Sequence, residues 1–198
     1  MLEEPSRQRI AGFLDLRRDA TLSYAEVGAS RENLTTPVGY AVDHNRVRLG
    51  EGRGAFDRAV AALRAWKMFD AGWVSLVPAD APVEVGMTVA VLARHYGFWS
   101  LNPCRIVYTI EEKDEDFVKC GFAYGTLSGH AQSGEERFTI LWRRDDGSVF
   151  YDLYAFSRPD HALARLGRPL ARGLQRRFAR DSLRAMVRAA GEGSRPGC

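Results

Sequence analysis

Apolar residues recur at two different periods along the chain, and the changes of period divide it into helices and strands. Residues 6–18 have apolar positions at helical spacing behind Ser6, which is suited to cap the first turn. Residues 55–69 repeat at intervals of three and four, as in a helix with one buried face. Residues 38–49 alternate instead, as in a strand. One face of that strand would carry Val38, Tyr40, Val42 and His44.

The middle of the chain has the β-rich composition and turn signals of an antiparallel sheet. Short segments rich in Val, Ile, Tyr, Phe and Trp follow one another with Pro-, Asp- or Gly-containing turns between them. The step from Asp146 to Gly147 is typical of a hairpin turn. The predicted strands are 73–77, 86–96, 102–110, 117–127, 137–143 and 148–156.

The C-terminal part returns to helical spacing, with an apolar stripe that begins at Leu163 and ends at Val187. Gly167 and Pro169 interrupt it, which predicts a short helix followed by a long one from about Pro169. Helices at both ends of a run of antiparallel strands indicate an α+β fold. We expect one domain over residues 1–190, in which a curved antiparallel sheet wraps around the long C-terminal helix, and a disordered tail over 191–198.

Composition removes several classes of function. The 198 residues carry a net charge of only +3, which is no argument for nucleic acid. The start of the chain lacks the pattern of a signal peptide, no apolar run is long enough to span a membrane, and three scattered cysteines form no CxxC pair. No nucleotide-binding or metal-binding motif occurs. We therefore expect a cytoplasmic protein without cofactor or metal; whether it forms a homodimer stays open.

Several local strings resemble one family. They are Gly50 with the helix 56–66, NPCRIVY at 102–108, GFAYGTLSGH at 121–130, GEERF at 134–138 and AFSRP at 155–159. Over nearly the whole chain the sequence is similar to uncharacterised protein family 0548. That resemblance implies membership of the helix-grip superfamily of START lipid-transfer domains, birch-pollen-allergen-like proteins and polyketide aromatase/cyclases. It implies an internal cavity, and it assigns no chemistry because one fold hosts carriers, sensors and enzymes.

Strand alternation selects the side chains that would face this cavity. If Phe138, Ile140 and Trp142 point inward, Glu136 does so as well. An inward carboxylate is costly unless it is paired, and burial raises its pKa. Glu136 could act as a general base or bind a ligand hydroxyl or amine; alternatively, it caps a loop or pairs with Arg158 or an arginine of the last helix. The same alternation predicts further inward side chains. On one strand Asn102 and Cys104 would point inward with Ile106 and Tyr108, and on the next Thr126 would do so with Phe122 and Tyr124.

Other residues are weaker candidates. His130 lies in the turn after Thr126 and could transfer protons, although a structural role is the simpler interpretation. His44 and Tyr40 would share a pocket-facing strand surface, or His44 is an ordinary core histidine. Cys104 could be a nucleophile but is expected to behave as a small hydrophobe. Arg158 could meet an anionic ligand or pair with a carboxylate.

Three functions remain open at this point. The favoured one is a binding protein for a hydrophobic or amphipathic small molecule. The alternative is a small-molecule enzyme of the cyclase, dehydratase or hydrolase type that uses Glu136 with His130 or Asn102. A third hypothesis, an interaction protein, ranks last because it rests only on the eight arginines between Arg165 and Arg188; a solvated helix face is the preferred explanation of these arginines.

Overall fold

The fold is a seven-stranded antiparallel sheet that curls around a long C-terminal helix, which confirms the predicted helix-grip architecture. The computed structural model describes residues 1–31, 37–159 and 168–191, without the side chains of residues 168 and 169. The predicted short helix after residue 159 and the predicted disordered tail, apart from Gly191, lie outside these residues. Within them, no helix is long and apolar enough to span a membrane.

The described residues form three α-helices and seven strands, which follow the predicted order. The strand order in the sheet is β1-β7-β6-β5-β4-β3-β2, so β1 and β2 form its edges. A short 3₁₀ helix, Lys67–Phe69, follows α2. The helices are α1 (Arg7–Asp15), α2 (Gly52–Arg64) and α3 (Arg168–Gly191). The strands are β1 (Ala41–Glu51), β2 (Val74–Val77), β3 (Thr88–His95), β4 (Phe98–Lys113), β5 (Phe117–Thr126), β6 (Gln132–Arg143) and β7 (Ser148–Pro159).

The main core lies on the concave face of the sheet. The inner side chains of β4 to β7 pack there against the buried face of α2 and against α3. Phe122, Phe138 and Ile140 are fully buried, which confirms the predicted inward phase of β5 and β6. The last turns of α3 close the core through Met186 and Ala190. α3 covers the remaining part of the concave face, and the space beneath this helix is not filled by protein side chains.

The convex face of the sheet is also covered, which the alternation of the strands did not predict. The segment 22–31 lies across it and buries Tyr24 and Ser30. Glu135 accepts hydrogen bonds from the Tyr24 hydroxyl at 2.7 Å and the Gly28 amide at 2.8 Å. It also accepts from the hydroxyl and amide of Ser30. A carboxylate buried to this degree is tolerated because several donors surround it.

Arg137 and Asp152 extend the same convex-face cluster. The Arg137 guanidinium donates to the Ser30 carbonyl at 2.7 Å and to Asp152 at 2.9 Å, and both side chains are about 95 % buried. Together with Glu135 they form a hydrogen-bonded layer that fastens the N-terminal segment to the sheet. This layer explains why polar residues alternate with apolar ones on β6 although both faces of most of the strand are covered by other parts of the protein.

Candidate functional site

A cavity of about 400 Å³ lies between the concave face of the sheet and the first turns of α3. Its wall is mainly apolar, because inner positions of the strands and one side of α3 contribute aliphatic and aromatic side chains. Phe69 and Trp73 enter from the connection between α2 and β2. The main apolar side chains are Phe69, Trp73, Val74, Val91, Ala93, Leu153, Leu174 and Phe178.

Glu136 and Tyr124 provide a polar pair within this apolar wall. They lie directly opposite each other on β6 and β5, and the Tyr124 hydroxyl donates to Glu136 Oε2 at 2.5 Å. Burial raises the pKa of Glu136 to about 7; the hydrogen bond from Tyr124 opposes that effect, and the charge of Asp43 adds to it. Glu136 therefore keeps its proton to a higher pH than an ordinary carboxyl group, and its accessible part faces the cavity.

Asp43 reaches the cavity wall from β1, where alternation had suggested other residues. Both of its carboxylate oxygens accept hydrogen bonds from the Arg172 guanidinium, and the second bond measures 2.8 Å. Arg172 also donates to Gln175, whose amide donates to Ser157 at 2.7 Å. These contacts hold α3 over β1 and β7. Asp43 is a residue that sequence reasoning missed, since only the three-dimensional pairing with Arg172 identifies it.

The other end of the cavity lies along β3 and β4. The Asn102 side chain lines the wall and donates to the Val91 carbonyl at 3.3 Å and to Ser100 at 3.1 Å. His95 also lines the wall, and its buried Nδ1 has no hydrogen-bond partner within the described chain. Burial lowers the pKa of His95, so its imidazole is neutral at physiological pH. His95 is a further residue that carried no signal in the sequence.

Thr126 and His130 line the cavity near the turn between β5 and β6. The Thr126 hydroxyl accepts from the Gly134 amide at 2.9 Å and donates to the Gly134 carbonyl at 3.1 Å. His130 Nδ1 accepts from the Gln132 amide at 2.9 Å, which leaves the proton of the neutral ring on Nε2. Burial lowers the pKa of His130 to about 4, so its ring is neutral at physiological pH. Thr126 is occupied by the turn, whereas His130 can still donate through Nε2.

Four predicted site residues lie elsewhere, and their placement corrects the strand-phase prediction. Tyr40, His44 and Arg158 are on the convex face: Tyr40 donates to Glu26 at 2.7 Å, and Arg158 lies over the Tyr40 ring. His44 Nε2 is 2.7 Å from Asp152. The prediction had the wrong face of β1, because Tyr40 and His44 belong to a convex face that residues 22–31 cover.

Cys104 is the fourth residue outside the cavity. It faces the concave side as predicted, but it is completely buried in the core, and burial raises the pKa of its thiol well above the ordinary value. It therefore behaves as a small hydrophobe and not as a nucleophile. Tyr108, expected inward beside Ile106, is on the convex face because a bulge at Val107 inserts an extra residue into β4.

No cluster of three or more His, Cys, Asp or Glu side chains capable of holding a metal ion occurs among the residues that the structure describes. The cavity instead combines an apolar wall, the carboxyl group of Glu136, the Asp43 carboxylate that pairs with Arg172, and neutral donors and acceptors. Such a lining suits an organic molecule with a small polar part.

Comparison with known proteins gives a family match over most of the chain. Residues 23–185 match the model described as a domain of unknown function, DUF1990. A UPF0548 protein of Deinococcus radiodurans is 40 % identical over 202 residues, covering 96 % of this chain and 98 % of the relative. A UPF0548 protein of Dictyostelium discoideum is 36 % identical over 203 residues, covering 95 % and 94 %. The matched region includes all seven strands and the part of α3 that lines the cavity.

Two solved structures illustrate the similarity in shape. A norcoclaurine synthase mutant from Thalictrum flavum has a TM-score of 0.49 and 11 % identity, with 81 % of this chain and all of that chain covered. A START superfamily protein from Mycobacterium smegmatis has a TM-score of 0.46 and 9 % identity, with 79 % of this chain and 100 % of that chain covered.

Proposed function

The chain belongs to the DUF1990 family, also called UPF0548, and from the geometry of its cavity we propose that it binds a hydrophobic or amphipathic small molecule between the sheet and α3. One observation carries the proposal: a cavity of about 400 Å³ with a mostly apolar wall also contains the accessible carboxyl group of Glu136. Cavities of this size, with few polar groups in an apolar wall, are typical of small-molecule sites.

The apolar wall supplies the affinity in this proposal. Phe69 and Phe178 lie on helical segments, Trp73 directly precedes the edge strand β2, and Val91 and Leu153 lie on the sheet itself. An apolar ligand that covers these surfaces gains on the order of 25 cal/mol for each Å² removed from water. A ligand that fills this volume displaces water from surfaces that water solvates poorly.

In this proposal Glu136 orients the bound ligand. Oε2 is engaged by Tyr124, and the remaining oxygen can accept a hydrogen bond from a hydroxyl or an amine of the ligand. A donor placed there also relieves the cost of ionising a carboxyl group among apolar side chains. Asn102, Ser100 and His95 offer a second, neutral polar region for a ligand long enough to reach β3 and β4.

Native mass spectrometry of the protein purified from its own host tests the proposal. We expect a co-purifying small molecule in the wild type and its loss from Ala155→Phe, which places a ring over the sheet beside Glu136. Ala61→Phe is the matched control, because Ala61 is exposed on α2 and does not line the cavity. Ligand-free protein in every sample, or equal retention of the small molecule by both folded variants, would contradict the proposal.

An enzymatic function is the second candidate, and the pKa of Glu136 near 7 favours it. A carboxyl group with such a pKa can both accept and release a proton at neutral pH, and His130 can donate a hydrogen bond from the same cavity. If the protein is an enzyme, the molecule bound from the host should be converted during incubation. Glu136→Gln should then abolish turnover while it leaves the fold unchanged; an unchanged ligand after long incubation supports binding alone.

A further inference from the structure

Glu136 has no positively charged partner among the side chains that the structure describes. The arginines that the sequence offered as partners have other contacts: Arg172 pairs with Asp43 and Arg177 lies over the Trp73 ring, whereas Arg158 is on the convex face over the Tyr40 ring. Within the described part of the chain, the only side chain that donates a hydrogen bond to Glu136 is Tyr124, through its neutral hydroxyl. A carboxyl group placed in this way is ready to receive a positive charge from outside the protein.

The register of the sheet shows where such a charge would sit. Asp43 and Glu136 are both paired with Ala155, from β1 and from β6, so the three residues form one row across adjacent strands. Neighbouring strands are about 4.8 Å apart, so the two acidic residues flank Ala155 on the same face of the sheet. The small Ala155 side chain leaves a space between them, and this space belongs to the cavity.

Negative charge therefore exceeds positive charge on the part of the sheet around Ala155 that lines the cavity. Arg172 neutralises Asp43, yet the Asp43 charge still disfavours ionisation of Glu136. An anionic ligand group would be repelled here, and a neutral group would leave the ionised carboxylate without a countercharge.

Aromatic rings complete the surroundings of Glu136. The Phe69 ring centroid is 6.3 Å from that of Tyr124 and 5.1 Å from that of Phe178, and all three rings line the cavity. The faces of aromatic rings attract cations, most strongly where water is excluded. A carboxylate on the sheet and aromatic rings around it form a site for an ammonium group attached to an apolar body.

We propose that the ligand of this cavity is an organic cation, a protonated amine on an apolar or aromatic body, with its ammonium group above Ala155 against Glu136. The inference rests on the proposed binding function and narrows its ligand class. A charge-assisted hydrogen bond is roughly twice as strong as a neutral one. We therefore expect an amine to bind at least about tenfold more tightly than the alcohol of the same shape.

Three probes that share a phenyl ring and a four-carbon chain and end in different polar groups test this proposal: 4-phenylbutylamine, 4-phenylbutan-1-ol and 4-phenylbutanoate. Calorimetric titration at pH 8 should give the order amine, alcohol, carboxylate, from tightest to weakest. Glu136→Gln should weaken the amine at least tenfold and change the alcohol less than threefold. Glu84→Gln, at an exposed position outside the cavity, should leave all three dissociation constants unchanged.

The outcomes separate the two proposals. Equal binding of alcohol and amine to the wild type, or an amine preference that survives in Glu136→Gln, would overturn the amine inference and leave the binding function intact. If none of the three probes binds the folded wild type at millimolar concentration, the binding function fails together with the amine inference. Binding that Ala155→Phe leaves unchanged would place the probe outside the cavity and contradict both.

Discussion

Glu136→Gln is expected to stabilise the ligand-free protein at pH 8 and to change its stability little at pH 4.5. Burial raises the pKa of Glu136 from 4.5 to about 7 in the folded protein. Between these two values the folded protein retains a proton that the unfolded chain has released. The free energy of unfolding contributed by this group is therefore fully present below pH 4.5 and is lost as the pH rises through 7. The amide removes this loss and can still accept the Tyr124 hydrogen bond.

The size of the effect follows from the same two pKa values. A rise from 4.5 to about 7 corresponds to about 3 kcal/mol at full ionisation. Because part of the Glu136 side chain faces the cavity and not packed protein, screening reduces this figure. We expect Glu136→Gln to raise the free energy of unfolding by about 1 to 3 kcal/mol at pH 8.

Urea denaturation at pH 4.5, 6, 7 and 8 measures this difference directly, because the other titrating groups contribute equally to both proteins. The difference between variant and wild type should grow with pH and level off near pH 8. Glu84→Gln should follow the wild type at every pH. A constant difference across the series, or a variant that is less stable at pH 8, would refute the assigned environment of Glu136.

Three further variants test the neighbouring structure, each by urea denaturation at pH 7. Glu135→Gln should destabilise the protein by roughly 2 to 4 kcal/mol, since the amide cannot accept all the hydrogen bonds of the buried carboxylate; a loss below 0.5 kcal/mol would contradict the convex-face cluster. Gly125→Ala should lower the free energy of unfolding by more than about 2 kcal/mol, because its Cβ would overlap the Tyr24 ring. If adding Tyr24→Ala to the same protein does not relieve this cost, the overlap with Tyr24 is not its cause. Arg172→Met should cost about 1 to 2 kcal/mol by leaving Asp43 unpaired, and an unchanged midpoint would show that this ion pair does not hold α3 in place.

The order of elements and the inward phase of β5 and β6 were predictable because simple periodicity governs them. Residues 55–69 repeat like a helix and became α2 followed by a 3₁₀ turn, and Glu136 faces the cavity as the alternation of Phe138 and Ile140 required. Each of these predictions depends on near neighbours in the chain, and no long-range information enters them.

The errors arose where contacts distant in sequence decide the outcome. Alternation showed two faces on β1 but could not show that residues 22–31 cover the convex one, so Tyr40 and His44 were assigned to the cavity. The bulge at Val107 reverses which side chains of β4 face the core, and no glycine or proline at that position indicates a bulge in the sequence. The pairing of Asp43 with Arg172 joins residues 129 positions apart. Local pattern contains no trace of these contacts.

The central claim is that the cavity beneath α3 holds the ligand. Intermolecular nuclear Overhauser effects between methyl-labelled protein and bound 4-phenylbutylamine or 4-phenylbutan-1-ol test this claim most directly. We expect contacts from the phenyl protons to the methyl groups of Val91, Leu153 and Leu174, which line the cavity. Contacts confined to exposed methyl groups, such as those of Leu2 and Leu16, would show that the space beneath α3 does not hold the ligand.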